Sequence, residues 1–99
     1  MRTGFVGILS VELFFADAAS LKAKRKHVQS AKAQLQNRFG ATVAEVDHHD
    51  LWQRARLTLA CAAREPGEAA RLLADAERFL ASQDYELVNA EHRIVSLDD

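Results

Sequence analysis

A chain of 99 residues, 48% of them hydrophobic and 27% charged, has the composition of a globular domain and is long enough to bury a core without disulfides or a structural metal. Its single cysteine excludes an internal disulfide, and no apolar stretch approaches the roughly 20 residues of a membrane span. The formal net charge of -1 excludes a uniformly basic or acidic protein, so a charged surface can arise only from segregation along the chain.

The N-terminal stretch predicts a strand in the middle of a sheet. Phe5 to Phe15 is apolar at both alternating sets of positions, which is typical of a strand that is not at a sheet edge. Glu12 interrupts the stretch and no small-residue cleavage site follows it, so we expect no signal peptide. Together with the lone cysteine, these features predict a single cytoplasmic domain over residues 1–99 and no membrane partner.

The next segment predicts an amphipathic helix. Ser20 is placed to cap a helix that begins at Leu21 and continues to about Arg38, and Gly40 is placed to end it. At 100° per residue, the apolar side chains fall within one stripe of about 80°. That stripe consists of Leu21, Val28, Ala31, Leu35 and Phe39. We therefore expect one face of the helix to pack on the sheet.

Two strands are predicted after this helix. Residues 42–47 form a short strand, and the alternation over residues 54–63 places Leu57, Leu59 and Cys61 on one face. Because Cys61 lies within an apolar run, we expect a buried and unreactive thiol rather than a nucleophile.

A second helix and a last strand complete the pattern. Pro66 suits the first turn of a helix that continues to about Leu80. The final strand, from Tyr85 to about Leu97, has an imperfect alternation that predicts a β-bulge. The order βαββαβ in a chain of this length predicts an α+β, ferredoxin-like sandwich with a four-stranded antiparallel sheet and two helices on one face.

The first helix has the strongest charge segregation in the chain. Between Ala18 and Ala44 there is no Asp or Glu, although six lysines and arginines fall there, whereas the second helix has a mixed face with Arg71 and Asp75 spaced for an ion pair. A purely cationic helix face favours a polyanion partner, above all RNA, whose phosphates would supply the counter-charge. The predicted phosphate contacts are Lys22, Arg25, Lys26 and Lys32, with Arg38 flanking them.

Other interpretations of this helix stay open. Its basic face could be solvated, or it could bind an acidic protein as part of an oligomeric interaction module. Lys24 differs from the other cations because it projects toward the apolar side near the helix start. It either extends its ammonium to solvent or reaches a carboxylate such as Asp47.

The uncovered face of the sheet is a second candidate surface. RNA-recognition domains of this topology stack bases on aromatic side chains of the two central strands. The corresponding positions here are Ser10, Glu12, Arg56 and Thr58. None is aromatic, and Glu12 would repel phosphate. Because Val6 and Ile8 lie beside them, we interpret this face as the surface of a homodimer.

The segment from Asp47 to Arg54 is the densest polar stretch of the chain. Its adjacent His48 and His49, with two aspartates, suggest a zinc or manganese site or an acid–base pair. Adjacent residues rarely direct their side chains to one ion, and no spaced ligand set accompanies them. We therefore expect no metal, no cofactor and no catalytic residue, and a protein that is not an enzyme.

Two further interpretations of this loop remain. In the first, Asp47 and Asp50 bond backbone amides and Trp52 covers the edge of the core. In the second, the loop recognises a partner and Trp52 is its anchor. In either case the residues that shape the loop beside the basic helix are Lys24, Asp47, Asp50, Trp52 and Arg54.

Two stretches of the chain resemble the YlxP-like family of small bacterial proteins, a family of unknown function. Residues 20–25, S-L-K-A-K-R, follow the family pattern S-L-K-x-K-R. Residues 44–54, A-E-V-D-H-H-D-L-W-Q-R, follow the pattern A-E-V/I-D-x-x-D-L-W-Q-R. By position, the motif residues are Ser20, Leu21, Lys22, Lys24, Arg25, Ala44, Glu45, Asp47, Asp50, Leu51, Trp52, Gln53 and Arg54. The likeness spans nearly the whole chain, and the two motifs are specific in their order and separation.

The resemblance implies a ferredoxin-like fold, a cytoplasmic location and genes that often lie among those for translation initiation and ribosome maturation factors. Members often have Gln where this chain has His49, which weakens the metal hypothesis. The family has no settled activity to carry over. The resemblance thus supports the fold more than the function, and it favours RNA or ribosome association by context alone.

Overall fold

The computed structural model of the protein describes residues 2–98 and contains four strands and two helices. Their bounds are β1 (Phe5–Phe14), α1 (Leu21–Phe39), β2 (Thr42–Asp47), β3 (Arg54–Ala63), α2 (Pro66–Ala81) and β4 (Glu86–Ser96). The strands form one antiparallel sheet in the order β2-β3-β1-β4, and both helices pack on the same face. This is the ferredoxin-like α+β arrangement that the sequence predicted.

The core lies between that face of the sheet and the helices. Leu9, Val11 and Leu13 of β1 are fully buried, and they are paired with buried residues of β3. The helices are displaced from each other across the sheet, because α1 packs mainly on β2 whereas α2 packs mainly on β1 and β4. Gly7 permits the close approach of α2, since a Cβ atom at this position would lie 3.2 Å from Leu73 Cγ.

The ends of α1 are formed as the sequence predicted. The Ser20 hydroxyl accepts a hydrogen bond of 3.1 Å from the Ala23 N–H, which satisfies one of the free donors of the first turn. Gly40 adopts the left-handed conformation with φ of 63°, and its N–H donates to the Gln36 carbonyl. The helix therefore ends at Phe39, one residue beyond the predicted end.

The predicted bulge in the last strand is confirmed. Glu12 is opposite Asn89 while Leu13 is opposite Leu87, so Val88 is an extra residue on β4. Tyr85 precedes the strand and meets the ring of Phe15 edge-on at 5.2 Å between centroids. Burial raises the pKa of Tyr85 to about 12.

Cys61 is buried, as expected from its apolar neighbours. Its exposed fraction is 4%, and burial raises the pKa of its thiol. Over residues 2–98, neither helix combines the length and the apolar character needed to cross a membrane.

Candidate functional site

The outer surface of α1 presents the predicted group of cations. Lys22, Arg25 and Lys26 are exposed and Lys32 is partly exposed, and none of the four forms an ion pair within the described residues. The first turn of α1 contains no acidic residue. We call these four side chains the basic face. Its positive charge is not balanced by carboxylates of residues 2–98.

Arg38 is placed differently from the basic face. Its guanidinium carbon lies 4.6 Å from the centroid of the Phe79 ring of α2, which is a cation–π contact. Arg38 therefore flanks the basic face, as expected, but its side chain is held against the second helix.

The exposed surface of α2 is neutralised by its own charges. Asp75 contacts Arg78, which is three residues further on, and Glu77 contacts His92 of β4. The predicted pair between Arg71 and Asp75 is wrong, because Asp75 is paired with Arg78 one turn away. The contrast with the basic face is nonetheless present, since α2 has acidic and basic side chains in contact.

Lys24 is a buried part of the core rather than a member of the basic face. Only 2% of its side chain is exposed, and its ammonium lies 3.0 Å from Glu45 Oε2. It also donates a hydrogen bond to the His48 carbonyl. Glu45 Oε2 is buried and makes no directional hydrogen bond, so Lys24 acts on it mainly as a neutralising charge.

Of the two explanations offered for Lys24 from the sequence, the contact with a carboxylate is confirmed and the exposed ammonium is wrong. The ammonium does not reach solvent, and its partner is Glu45 instead of Asp47. The reason is the register of β2: Glu45 is opposite Leu57, whose side chain faces the helices, whereas Asp47 is opposite Arg56 on the uncovered face. The two residues would share a face in a regular strand, but a register shift between them places their side chains on opposite faces of the sheet.

The turn after β2 is held in an unusual backbone conformation. His48 has φ of 66°, a left-handed value that is uncommon for residues other than glycine. Its carbonyl accepts from Lys24, its N–H donates to Asp47 Oδ1 at 2.7 Å, and its Nε2 lies 3.1 Å from Glu12 Oε2. Three polar contacts thus offset the cost of this conformation. The expectation that a loop aspartate bonds a backbone amide is met by Asp47, whereas no such bond is made by Asp50 within residues 2–98.

The two adjacent histidines face different partners. The His48 ring is directed to Glu12 on the uncovered face, whereas the His49 ring lies 3.1 Å from the Glu45 carbonyl. Their imidazoles do not converge on one point. Among residues 2–98, no three His, Cys, Asp or Glu side chains are grouped so that they could hold a metal ion.

The middle of the uncovered face is an ion-pair network around Glu12. Its carboxylate lies 3.2 Å from Arg54 Nη1 and 3.8 Å from Arg56 Nη1, in addition to the contact with His48. Arg56 also donates to Ser10 Oγ at 3.0 Å and to Asn89 Oδ1 at 3.0 Å. The polar residues expected on this face are there, and they are bound to one another.

Trp52 does not cover the core. It is 54% exposed, and its neighbour Leu51 is 47% exposed. With Phe14, Gln53 and Arg54 they line a depression of about 260 Å³. Since Phe14 and Arg54 are opposite each other on the uncovered face, Trp52 lies on that side of the sheet, away from the helix layer.

Gln53 closes the edge of the core in place of Trp52. Its carbonyl accepts from the Phe15 N–H at 2.8 Å, and its side-chain amide donates to the Ala16 carbonyl at 2.9 Å and the Ala18 carbonyl at 3.3 Å. These bonds fix the connector that leads into α1. Sequence reasoning missed this role, and it missed Glu45 as well. A lysine on the apolar side of a helix, with a glutamate on the core side of the next strand, was the available signal.

A larger depression, of about 480 Å³, lies at the other end of the molecule. Its lining includes Arg2, Arg64 and Glu68. Arg2 is paired with Glu65 at 2.7 Å, and neither motif contributes to the depression.

The fold and the surfaces together define a ferredoxin-like α+β domain with an unbalanced basic helix. The chain belongs to the family described as "Protein of unknown function (DUF503)", whose model matches residues 6–92. It is similar to the "Uncharacterized protein YlxP" of Bacillus subtilis (strain 168), with 33% identity over 55 residues. The aligned part is 56% of this chain and 60% of that protein. The resemblance to the YlxP-like family is confirmed.

Two solved structures align with most of the chain. The "De novo designed protein Foldit4" has a TM-score of 0.46 at 9% identity, with 93% of this chain and 96% of that chain covered. The "De novo designed protein Ferredog-Diesel" has a TM-score of 0.43 at 13% identity, with 92% and 88% covered.

Proposed function

We propose that this protein is a non-enzymatic binding module of the cytoplasm that holds structured RNA, such as RNA of a ribosomal particle, against the basic face of α1. The observation that supports the proposal is that four cations lie on one helix face and none is paired with a carboxylate of residues 2–98. Like charges on neighbouring turns repel each other, and the phosphates of a polyanion would relieve that repulsion.

The salt dependence of binding follows from the size of the basic face. Each neutralised phosphate releases condensed counterions, so four contacts correspond to a slope of about -3 to -4 in log K against log salt. Affinity should then fall by roughly 60- to 250-fold between 50 and 200 mM salt. Contacts of this kind depend on the position of phosphates and do not read bases. We therefore expect the protein to recognise the shape of an RNA.

The test uses two variants that remove the same charge from different surfaces. The first replaces Lys22, Arg25, Lys26 and Lys32 by Gln. The matched control replaces Arg2, Arg64, Arg71 and Arg78 by Gln. RNA recovered by crosslinking in the native cell supplies the probe, and its fluorescence anisotropy measures affinity. We expect the first variant to lose at least 30-fold in affinity, the control to lose much less, and both to melt close to the parent protein.

Equal losses in the two variants would mean that net charge, and not the basic face, determines binding. Retention of binding by the first variant would overturn the proposal. Recovery of an acidic protein after nuclease digestion, with no crosslinked RNA, would identify the basic face as a protein-docking surface instead.

A further inference from the structure

The strand β4 forms one open edge of the sheet. It is the last strand in the order β2-β3-β1-β4, and it is eleven residues long, whereas β2 at the other edge has six. Natural edge strands are commonly protected by charged side chains, especially lysine, by proline, by bulges or by shortness. β4 contains no proline and no lysine, and its charged side chains, Glu86, Glu91 and Arg93, are of both signs. Its single bulge, at Val88, lies near one end and leaves residues 89–96 in regular register with β1.

The exposed apolar side chains of the molecule are concentrated at this edge. Of the seven large hydrophobic residues that are exposed in the described chain, three belong to β4 and a fourth follows it directly. These four are Val88, Ile94, Val95 and Leu97. Val6 and Ile8, on which the predicted homodimer surface depends, are partly exposed. Four of the seven exposed large hydrophobic residues among residues 2–98 therefore lie at the β4 edge.

The backbone of β4 has a regular row of free hydrogen-bonding groups. Leu97 donates its N–H to the Gly4 carbonyl at 3.1 Å. Because the backbone groups of successive residues point alternately toward and away from the neighbouring strand, every second residue counted back from Leu97 directs its N–H and C=O toward β1. By that alternation, the N–H and C=O groups of Ala90, His92 and Ile94 point away from β1. They are available to another strand.

We propose that β4 pairs in antiparallel fashion with β4 of a second copy of this chain, on a two-fold axis at His92. In this register Glu91 of each copy is opposite Arg93 of the other, so two pairs of opposite charge form. Ala90 is likewise opposite Ile94. An axis at Ala90 would place Glu91 opposite Asn89, and an axis at Ile94 would place Arg93 opposite Val95. Charge complementarity therefore selects His92.

The geometry of the proposed pair gives one continuous sheet of eight strands. Since an antiparallel two-fold axis is perpendicular to the sheet, the helices of both copies lie on the same side. Glu91 and Arg93 share the uncovered face, because they are opposite Ser10 and Ile8 of β1. They lie in the closely spaced type of antiparallel pair, in which the side chains of facing residues come near each other. This inference concerns self-association and is independent of the proposed RNA binding.

A charge-swap experiment tests the register directly. Glu91→Arg gives a copy with two arginines at these positions, and Arg93→Glu gives a copy with two glutamates. Each variant alone should be monomeric because like charges face each other twice, whereas an equimolar mixture should form a heterodimer. Sedimentation velocity on the full chain over a range of concentrations measures all three samples beside the parent protein. We expect each single variant to associate at least 10-fold more weakly than the mixture.

A crosslinking variant provides an independent check. In a hydrogen-bonded antiparallel pair, Cα atoms are about 5.5 Å apart, which is within the range for a disulfide. His92→Cys should therefore form a covalent dimer under mild oxidation, with little background because Cys61 is buried. Glu86→Cys is the control, since it is exposed on the same strand but lies six residues from the axis.

Several results would overturn the proposal. One is a parent protein that stays monomeric at high micromolar concentration. Another is a dimer that persists in both single charge variants, or a Glu86→Cys crosslink as efficient as that of His92→Cys. A dimer that tolerates both charge variants but is lost on Ile8→Arg would place the interface on the uncovered face.

Discussion

Replacement of Lys24 by Met should strongly destabilise the protein. The variant keeps the length of the side chain but removes the ammonium that lies 3.0 Å from Glu45 Oε2 and bonds the His48 carbonyl. Removing one partner of a buried ion pair costs about 3–5 kcal/mol. The Glu45 side chain is 20% exposed, so water offsets part of that cost and we expect a loss of about 3 kcal/mol in the free energy of unfolding. For a domain of this size the melting temperature should fall by about 15 °C.

Thermal unfolding followed by circular dichroism measures this effect, and two controls identify its cause. Lys22→Met removes the same charge from an exposed position of the same helix, and it should change stability by less than about 0.5 kcal/mol. A double variant, Lys24→Met with Glu45→Leu, removes both charges and should recover most of the loss. If Lys24→Met melts within about 3 °C of the parent protein, the assignment of a structural role to this lysine is wrong.

Three other properties can be tested on the same protein. Burial raises the pKa of Tyr85 to about 12, whereas an unfolded tyrosine ionises at about 10. Its contribution to stability is therefore present below pH ~10 and is lost as the pH rises to about 12. A spectrophotometric titration of this single tyrosine with a midpoint of about 10 would contradict the burial. The thiol of Cys61 should react with thiol reagents only when the protein opens, so fast labelling without denaturant would show that the site is accessible. Trp52→Ala should cost less than about 0.5 kcal/mol because the indole is exposed, whereas Leu59→Ala should cost about 2–5 kcal/mol, and chemical denaturation compares the two.

The fold could be predicted because local patterns and tertiary structure agree. Ser20 and Gly40 cap α1 as their residue types require, and the uneven alternation after Tyr85 marked the bulge at Val88. Each of these signals lies within a few residues of the feature that it specifies. The ferredoxin-like topology then follows from the order of the elements.

The details of the candidate site could be predicted less well because they depend on residues far apart in the chain. Lys24 was recognised as misplaced, but its partner depended on the register of β2 against β3, which turns Glu45 inward and Asp47 outward. In one of the two interpretations of the loop, Trp52 covers the edge of the core, but the indole is exposed. Gln53 holds the connector instead, through two hydrogen bonds of its side-chain amide and one of its main-chain carbonyl. Sequence spacing gives no indication of that exchange.

α1 lies over β2, at the edge of the sheet remote from β4. This position sets the distance between the two basic faces in a dimer joined at β4. With strands about 4.8 Å apart, a dimer joined at β4 would hold its two basic faces roughly 30 Å apart and directed to the same side. An RNA long enough to reach both would bind the second face as an intramolecular step, at an effective concentration that can reach the millimolar range. The dimer would then bind long, rigid RNAs that reach both basic faces more tightly than short RNAs that reach only one.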